Sequence, residues 1–185
     1  MKFIKFLLII FISINSPIKA DSEQNLFKEL KKGGKLIFIR HAYAPGSGDP
    51  NNFDINKCKT QRNLNSTGRD QAKKIGEFFR KNNIQIDKVY SSEWCRCKET
   101  ALIAFNKFEI KNFLNSFFSS KFAKNKDRQI KELETFIKNW NSKKNLIFVT
   151  HYVVIFESLD YSPSSGEIVI SNKDFKIIDT IEIEY

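Results

Sequence analysis

Residues 35–40 read KLIFIR and residues 145–150 read NLIFVT, and these two apolar runs decide the fold of the chain. A short continuous apolar run is typical of a strand that is covered on both faces, because a half-exposed strand alternates apolar and polar residues. Both runs therefore predict buried strands of a sheet.

Helical patterns lie between and beyond the two runs. Apolar and small residues recur at helical spacing after Asn65 or Ser66, either of which can cap a helix. Residues 88–91 (KVYS) predict another strand, and amphipathic helices are expected from about Glu93 and from about Asp127. Strands that alternate with helices indicate an α/β protein with a mostly parallel sheet.

The C-terminal segment predicts two further strands. The runs EIVIS (167–171) and FKIIDTIEIEY (175–185) flank a polar turn from Asn172 to Asp174, which is typical of a hairpin. Residues 108–118 have no clear pattern. The whole order predicts a three-layer α/β/α sandwich with a mostly parallel central sheet and an antiparallel C-terminal edge hairpin.

The first twenty residues (MKFIKFLLIIFISINSPIKA) have the layout of a secretory signal peptide. Lys2 and Lys5 precede an uncharged apolar run over residues 6–14, and a polar stretch follows it. This run is well short of the roughly 20 residues that a membrane-spanning helix needs. We therefore expect removal of residues 1–20, export to the periplasm or the cell exterior, no stable membrane anchor, and one domain over residues 21–185.

The chain is basic, with a formal charge of +10 that falls to +7 once the three lysines of the first twenty residues are removed. Such an excess favours anionic partners, although scattered lysines can also simply keep a surface solvated. The 18 phenylalanines lie mostly inside apolar runs and are not interleaved with arginine. That distribution is typical of a packed core and argues against a nucleic-acid partner.

Three cysteines, Cys58, Cys95 and Cys97, occur in a chain that we expect to enter an oxidising compartment. One disulfide and one free thiol would account for the odd number. Cys95 and Cys97 are too close in sequence to pair comfortably, so a bridge from Cys58 to either of them is expected. The sequence lacks the C-x-x-C spacing of zinc sites, and no metal site is predicted.

Only two histidines occur in the sequence, and each follows one of the apolar runs. LIFIR precedes His41, and LIFVT precedes His151. The carboxyl ends of parallel strands open onto the same crevice, so the two imidazoles can meet despite their distance in sequence. Either histidine could instead close its strand by bonding a nearby carbonyl. The two together, beside Arg40, favour a functional site.

Four blocks, in family order, resemble the signature segments of the histidine phosphatase superfamily in its phosphoglycerate mutase-like branch. RHA (40–42) resembles the R-H-G motif, and LNSTGRDQAKKIGEFF (64–79) is similar to the L-x-x-x-G-x-x-Q-A helix. SSEWCRCKETA (91–101) resembles the S-S-x-x-x-R-A-x-x-T-A segment, and FVTH (148–151) resembles the strand that presents the second catalytic histidine. The blocks span roughly residues 35–160.

This resemblance implies a phosphoryl-transfer site that needs no cofactor or metal. It makes His41 the nucleophile, Arg40 and Arg96 phosphate ligands, and His151 a second imidazole that contacts the phosphoryl oxygens. A neutral imidazole can attack phosphorus near neutral pH, and a covalent phosphohistidine divides one difficult displacement into two easier ones. Arginine stays charged and offers a planar fork of donors that matches phosphoryl oxygens.

Several positions depart from the family pattern. Ala42, Cys97 and Tyr152 stand where the family commonly has Gly, Ala and Gly. The stretch NFLNSFFSS (112–120) holds no carboxylate, whereas many relatives place there a glutamate that protonates the leaving group. The general acid is therefore the part of the site that the resemblance does not supply.

Two other carboxylates are possible substitutes for that acid. Glu167 lies at the start of the tail strand, and Asp49 lies in the loop that follows His41. Each could instead be an ordinary turn or surface carboxylate. Arg62, which follows the same loop, is a possible further phosphate or substrate ligand, or else a partner in a loop salt bridge.

A small exported subset of the superfamily resembles this chain more fully, through segments such as CKTQRNL (58–64) and SSEWCR (91–96). By this resemblance the loop from Pro45 to Gln61 would form a roof over the pocket. A bridge from Cys58 to Cys95 would tie that roof to the helix that carries Arg96.

We therefore predict an exported phosphohydrolase that acts through a phosphohistidine on a small phosphorylated substrate, either an ester or an anhydride. A phosphomutase is one alternative, although the chain is short for one. A non-catalytic protein that binds phosphate or another anionic ligand with the same arginines and histidines is the other alternative, because the acid is missing. Substitution of His41 separates the enzyme from the binding protein.

Overall fold

The computed structural model describes residues 17–185, with side chains described from Asn25 onward. Most of the predicted signal peptide (1–20) lies outside the described residues, so this assignment and the export that it implies stay predictions. Within residues 17–185, no helix is both long and apolar enough to cross a membrane.

Helices and strands alternate along the described chain. The strands are β1 Leu36–Arg40, β2 Ile86–Ser91, β3 Glu109–Ile110, β4 Asn145–Thr150, β5 Ile168–Ser171 and β6 Ile177–Ile181. The helices are α1 Pro17–Lys32, α2 Ser66–Lys81, α3 Cys95–Phe105, α4 Ser120–Ala123, α5 Lys126–Asn139 and α6 Tyr152–Leu159, with short 3-10 turns at Cys58–Thr60 and Asn112–Leu114.

The six strands form one sheet in the order β3-β2-β4-β1-β5-β6. The four strands from β3 to β1 are parallel to one another, whereas β5 runs antiparallel to β1 and β6 runs antiparallel to β5. The predicted sheet, mostly parallel with an antiparallel hairpin at its C-terminal edge, is confirmed.

Helices cover both faces of the sheet, as the apolar runs predicted. In β1, Ile37 and Ile39 belong to a core shared with α1, α2 and α3, while Leu36 and Phe38 belong to a second core shared with α5 and α6. All four side chains are fully buried. Because successive side chains of a strand point to opposite faces, a strand with helices on both sides must be apolar throughout.

The helix boundaries agree with the sequence analysis in part. Asn65 is the N-cap of α2, and its side chain accepts a hydrogen bond from Gly68 N at 2.9 Å. The helix expected from about Asp127 is α5, which begins at Lys126 and has Trp140 as its C-cap. Residues 108–118 contain the two-residue strand β3 and a 3-10 turn, and such short elements have no periodicity to detect.

Candidate active site

The two histidines meet because they follow neighbouring parallel strands. Arg40 at the end of β1 is paired in register with Thr150 at the end of β4, so His41 and His151 are the next residues on the same sheet edge. The His41 N–H donates to the Thr150 carbonyl at 2.9 Å. The imidazole centroids lie 5.5 Å apart, and both residues are buried.

A cavity of about 470 Å³ opens beside the two imidazoles. Three guanidinium groups line it, those of Arg40, Arg62 and Arg96. The loop that follows His41 contributes residues 46–51 to the wall, so the predicted roof does border the cavity. The structure thus brings together the residues that the sequence analysis assigned to phosphate binding and nucleophilic attack.

His41 is held in one tautomer by its own main chain. Its Nδ1 lies 2.9 Å from the carbonyl oxygen of Ala42. A carbonyl can only accept a hydrogen bond, so Nδ1 carries the proton and the lone pair is on Nε2. An imidazole fixed in this way presents Nε2 as a nucleophile without a preceding proton transfer.

His151 is part of a hydrogen-bonded chain. Its Nδ1 lies 3.4 Å from Arg96 Nη2, which can only donate, and its Nε2 lies 2.9 Å from Ser92 Oγ. In this arrangement the His151 Nε2–H donates to Ser92, and the Ser92 hydroxyl donates to Asn115 Oδ1 at 3.1 Å. The hydroxyl can also reverse its role and donate to Nε2, which would move the His151 proton to Nδ1.

Both imidazoles are uncharged. Burial, followed by the nearby Arg96 guanidinium, holds the pKa of His41 well below its ordinary value. The pKa of His151 is held well below its ordinary value by burial, Arg96 and His41. Because a lowered pKa keeps the neutral form at pH values below the usual histidine range, the His41 lone pair stays available in mildly acidic solution.

Asp49 of the roof loop holds Arg96 in place. Its Oδ1 accepts from Arg96 Nη1 at 2.8 Å and from the Arg62 main-chain N–H at 3.0 Å, and its Oδ2 accepts from Trp94 Nε1 at 3.0 Å. Burial acts to raise the pKa of Asp49, but Arg96 and the other donors outweigh it and the pKa is lowered. These contacts favour a positioning role for Asp49 over the acid role predicted for it, because a carboxylate with several donors is a poor proton source.

Glu167 lies outside this cavity and faces a neighbouring one, which Arg40 also borders. Its side chain is buried and accepts hydrogen bonds from the Tyr161 hydroxyl and, at 2.6 Å, from the Ser164 N–H. The structure therefore places this candidate acid in the wall behind the site, where it fixes the turn before β5.

Arg62 and Arg40 are each anchored by main-chain carbonyls. Arg62 Nε donates to the Gly48 carbonyl at 2.9 Å, and Arg40 Nη1 donates to the Pro163 carbonyl at 2.8 Å. Burial lowers the pKa of Arg62 to about 10, which leaves it charged at neutral pH. Arg40 Nε is buried and has no hydrogen-bond partner among residues 25–185. Both guanidinium groups are therefore held at the cavity with donor capacity left for an anion.

The structure joins Cys58 and Cys95 in a disulfide, the pairing considered in the sequence analysis. Gln61 reinforces this link, because its Oε1 accepts from the Cys95 N–H at 2.9 Å. Cys97 remains free and buried, and burial raises the pKa of its thiol to about 12. The roof is thus fastened to the N-terminus of α3, next to Arg96.

Several residues that shape the site have a role that the sequence pattern did not predict. Ser92 and Asn115 control His151, Trp94 and Gln61 connect the roof to α3, and Gln71 accepts from the Tyr43 N–H at 2.8 Å. Ser92, Trp94 and Gln71 lie inside the four blocks quoted above, Gln61 lies three residues before one of them, and Asn115 lies in the stretch 112–120. Their side-chain roles follow from the tertiary path of the chain, which the sequence pattern does not specify.

Residues 36–116 match the family model of the histidine phosphatase superfamily (branch 1). The broad-specificity phosphatase YOR283W of Saccharomyces cerevisiae is 32% identical over 85 residues, which cover 46% of this chain and 35% of that protein. The chain thus aligns with about a third of the length of this curated relative.

Solved structures of phosphatases have a similar fold. The protein histidine phosphatase SixA complexed with tungstate gives a TM-score of 0.56 at 12% identity, covering 80% of this chain and 96% of that chain. A mycobacterial glucosyl-3-phosphoglycerate phosphatase gives a TM-score of 0.56 at 13% identity, covering 75% of this chain and 92% of that one. At sequence identities this low, the similarity to these structures shows a shared fold and nothing more.

Proposed function

We propose that this chain, whose residues 36–116 match the family model of the histidine phosphatase superfamily, hydrolyses small phosphate esters or phosphoanhydrides through a phosphohistidine formed on His41. The observation that carries the proposal is the state of His41: a buried, neutral imidazole with its lone pair on Nε2, at a cavity lined by three guanidinium groups. Phosphatase activity in general is supported by the named relatives.

In the first step, His41 Nε2 attacks phosphorus and the bond from phosphorus to the leaving oxygen breaks with its electron pair. Arg96, Arg62 and Arg40 offer donors to the phosphoryl oxygens, where charge is spread in the transition state. His151 can donate from Nδ1 to a phosphoryl oxygen once Ser92 donates to its Nε2. In the second step, water attacks phosphorus, the N–P bond breaks, and His41 is regenerated with release of phosphate.

The first step has no evident proton donor for the leaving group among the described residues that line the cavity. Among the residues described as lining the cavity, Asp49 is the only carboxylate, and its oxygens already accept from Arg96 and Trp94. Ser116 lies in the stretch where many relatives carry the acid, and it also borders the cavity. A site with this donor set favours substrates whose leaving group needs no proton from the site, such as acyl phosphates, phosphoanhydrides, and phosphohistidine that already carries a proton on its other ring nitrogen.

Trapping of the intermediate tests the proposal. The protein is incubated briefly with a radiolabelled acyl phosphate, quenched in alkali and digested, and the labelled peptide is sequenced. We expect a label on the peptide that contains His41, and this label should be lost in acid and kept in alkali, as a phosphoramidate bond requires. Turnover without any label on that peptide would exclude the covalent route.

The hydrolysis rates of two model substrates test whether the site lacks a general acid for the leaving group. We expect kcat/KM for p-nitrophenyl phosphate to exceed that for a simple alkyl phosphate by at least about a hundredfold, because only the alkoxide needs protonation. Steady-state release of inorganic phosphate measures both rates. Equal rates on the two substrates would show that a proton donor does act at the leaving oxygen.

A binding protein remains the second candidate, because the missing acid would matter less for a ligand that is held without turnover. The same donors could retain phosphate or another anion.

We further propose export of the chain, as its N-terminal sequence predicts. The Cys58–Cys95 disulfide supports this proposal, since disulfides persist mainly in oxidising compartments.

A further inference from the structure

Two aromatic side chains at the cavity, Phe118 and Tyr152, are not part of either apolar core. Phe118 is 53% exposed, and its ring meets the Tyr152 ring edge-on, with centroids 5.8 Å apart and an interplanar angle of 62°. A single exposed phenylalanine needs no explanation. A pair formed by this exposed ring and the half-buried Tyr152 ring, in the same cavity as both histidines, does call for one.

Packing of the two residues before Phe118 explains why its ring stays outside the core. Ser116 and Phe117 are buried, and the Phe118 N–H donates to Ser116 Oγ at 3.4 Å. The chain is therefore fixed just before Phe118, and the ring is held toward the cavity. Phe156 in α6 has a similar exposure of 46% but does not border the cavity, so it provides a matched comparison.

The aromatic pair begins next to the predicted phosphate ligands. The Arg40 guanidinium carbon lies 5.5 Å from the centroid of the Tyr152 ring. A phosphoryl group held by Arg40 and His41 would therefore have an aromatic surface close to it. Aromatic rings contribute attraction beyond their buried area when they stack or meet edge-on with another ring.

We propose that Phe118 and Tyr152 form a subsite for an aromatic ring in the leaving group of the substrate. The substrate class is then a phosphorylated compound whose ring lies close to the phosphate, and not a small aliphatic phosphate. This inference rests on the proposed function only for the position of the phosphate. It concerns binding and can be tested without turnover.

Phosphonates provide that test, because their C–P bond is not hydrolysed by the proposed route. Titration calorimetry on the full chain compares benzylphosphonate with methylphosphonate, which have the same headgroup and differ by the ring. We expect benzylphosphonate to bind about tenfold more tightly to the unaltered protein, as one good aromatic contact would give. The advantage should fall below about threefold in Phe118→Ala, and it should be unchanged in Phe156→Ala.

Phe118→Leu separates aromatic recognition from simple burial, since leucine keeps an apolar surface without a ring. We expect it to recover only part of the advantage. Equal affinity of the two phosphonates in the unaltered protein, or a full advantage in Phe118→Leu, would overturn the subsite. Failure of both phosphonates to bind would overturn the anion pocket, and with it both the proposed function and this inference. If benzylphosphonate keeps its affinity advantage over methylphosphonate but the protein turns over no substrate, the proposed enzymatic function is wrong and the aromatic subsite is still supported.

Discussion

Replacement of His41 by asparagine should lower kcat/KM by at least about a thousandfold, because no other imidazole among the described residues that line the cavity is free to form the same covalent intermediate. His151 is the only other imidazole in the sequence, and Ser92 and Arg96 engage its two nitrogens. Loss of the nucleophile would leave the guanidinium groups in place, so some rate enhancement over water can remain. Phosphate release from p-nitrophenyl phosphate measures the effect.

The same variant distinguishes an enzyme from a binding protein. Asparagine can still donate to the Ala42 carbonyl, which keeps the local hydrogen bond that His41 makes. We therefore expect His41→Asn to keep its thermal stability and much of its affinity for methylphosphonate while it loses turnover and the acid-labile label. Phe156→Ala is the control for surface substitution and should keep full activity. Retention of more than a tenth of the activity by His41→Asn would rule out the covalent role.

Removal of the Cys58–Cys95 disulfide should lower the free energy of unfolding by about 3–4 kcal/mol. The two cysteines are 37 residues apart, and a cross-link over such a loop restricts the unfolded chain. Urea denaturation of the double variant Cys58→Ser, Cys95→Ser under oxidising conditions measures the loss. The contacts of Gln61 and Asp49 should keep the roof folded in the native state.

Reduction offers the matched control for this second prediction. The unaltered protein in dithiothreitol should unfold at the urea concentration found for the double variant, and the double variant should not respond to the reductant. Cys97 does not affect this comparison, because it is a free, buried thiol in both the oxidised and the reduced protein. If dithiothreitol does not change the urea concentration at which the unaltered protein unfolds, the disulfide does not form in solution.

The sheet could be predicted because its central strands leave little choice. KLIFIR and NLIFVT are apolar on both faces, and only a strand with helices above and below can bury them. Asn65 was one of two candidate caps, and its side-chain contact with Gly68 identifies it as the cap. The helix α6 has the sequence YVVIFESL, whose apolar residues surround most of the helix, so no amphipathic stripe indicated it.

The side chains of the site that follow strand ends could be predicted from the sequence, whereas the contacts made by loop residues could not. The meeting of His41 and His151 follows from two parallel neighbours in register. The contact of Asp49 with Arg96 joins residues 47 positions apart through an irregular loop, and no periodicity encodes such a path. Glu167 and Asp49 were therefore both reasonable acids from sequence, and their positions relative to the cavity and their hydrogen-bond partners distinguish their roles.

The contact between Asp49 and Arg96 also sets the electrostatic balance of the cavity. Three guanidinium groups and the exposed Lys121 ammonium group line the cavity with one carboxylate, and both imidazoles are neutral, so the lining carries an excess of three positive charges. A phosphate monoester dianion compensates most of that excess, whereas a diester with one negative charge leaves most of it uncompensated. Inorganic phosphate near neutral pH is a mixture of monoanion and dianion, so the reaction product is also electrostatically suited to the cavity and should compete with the substrate for it.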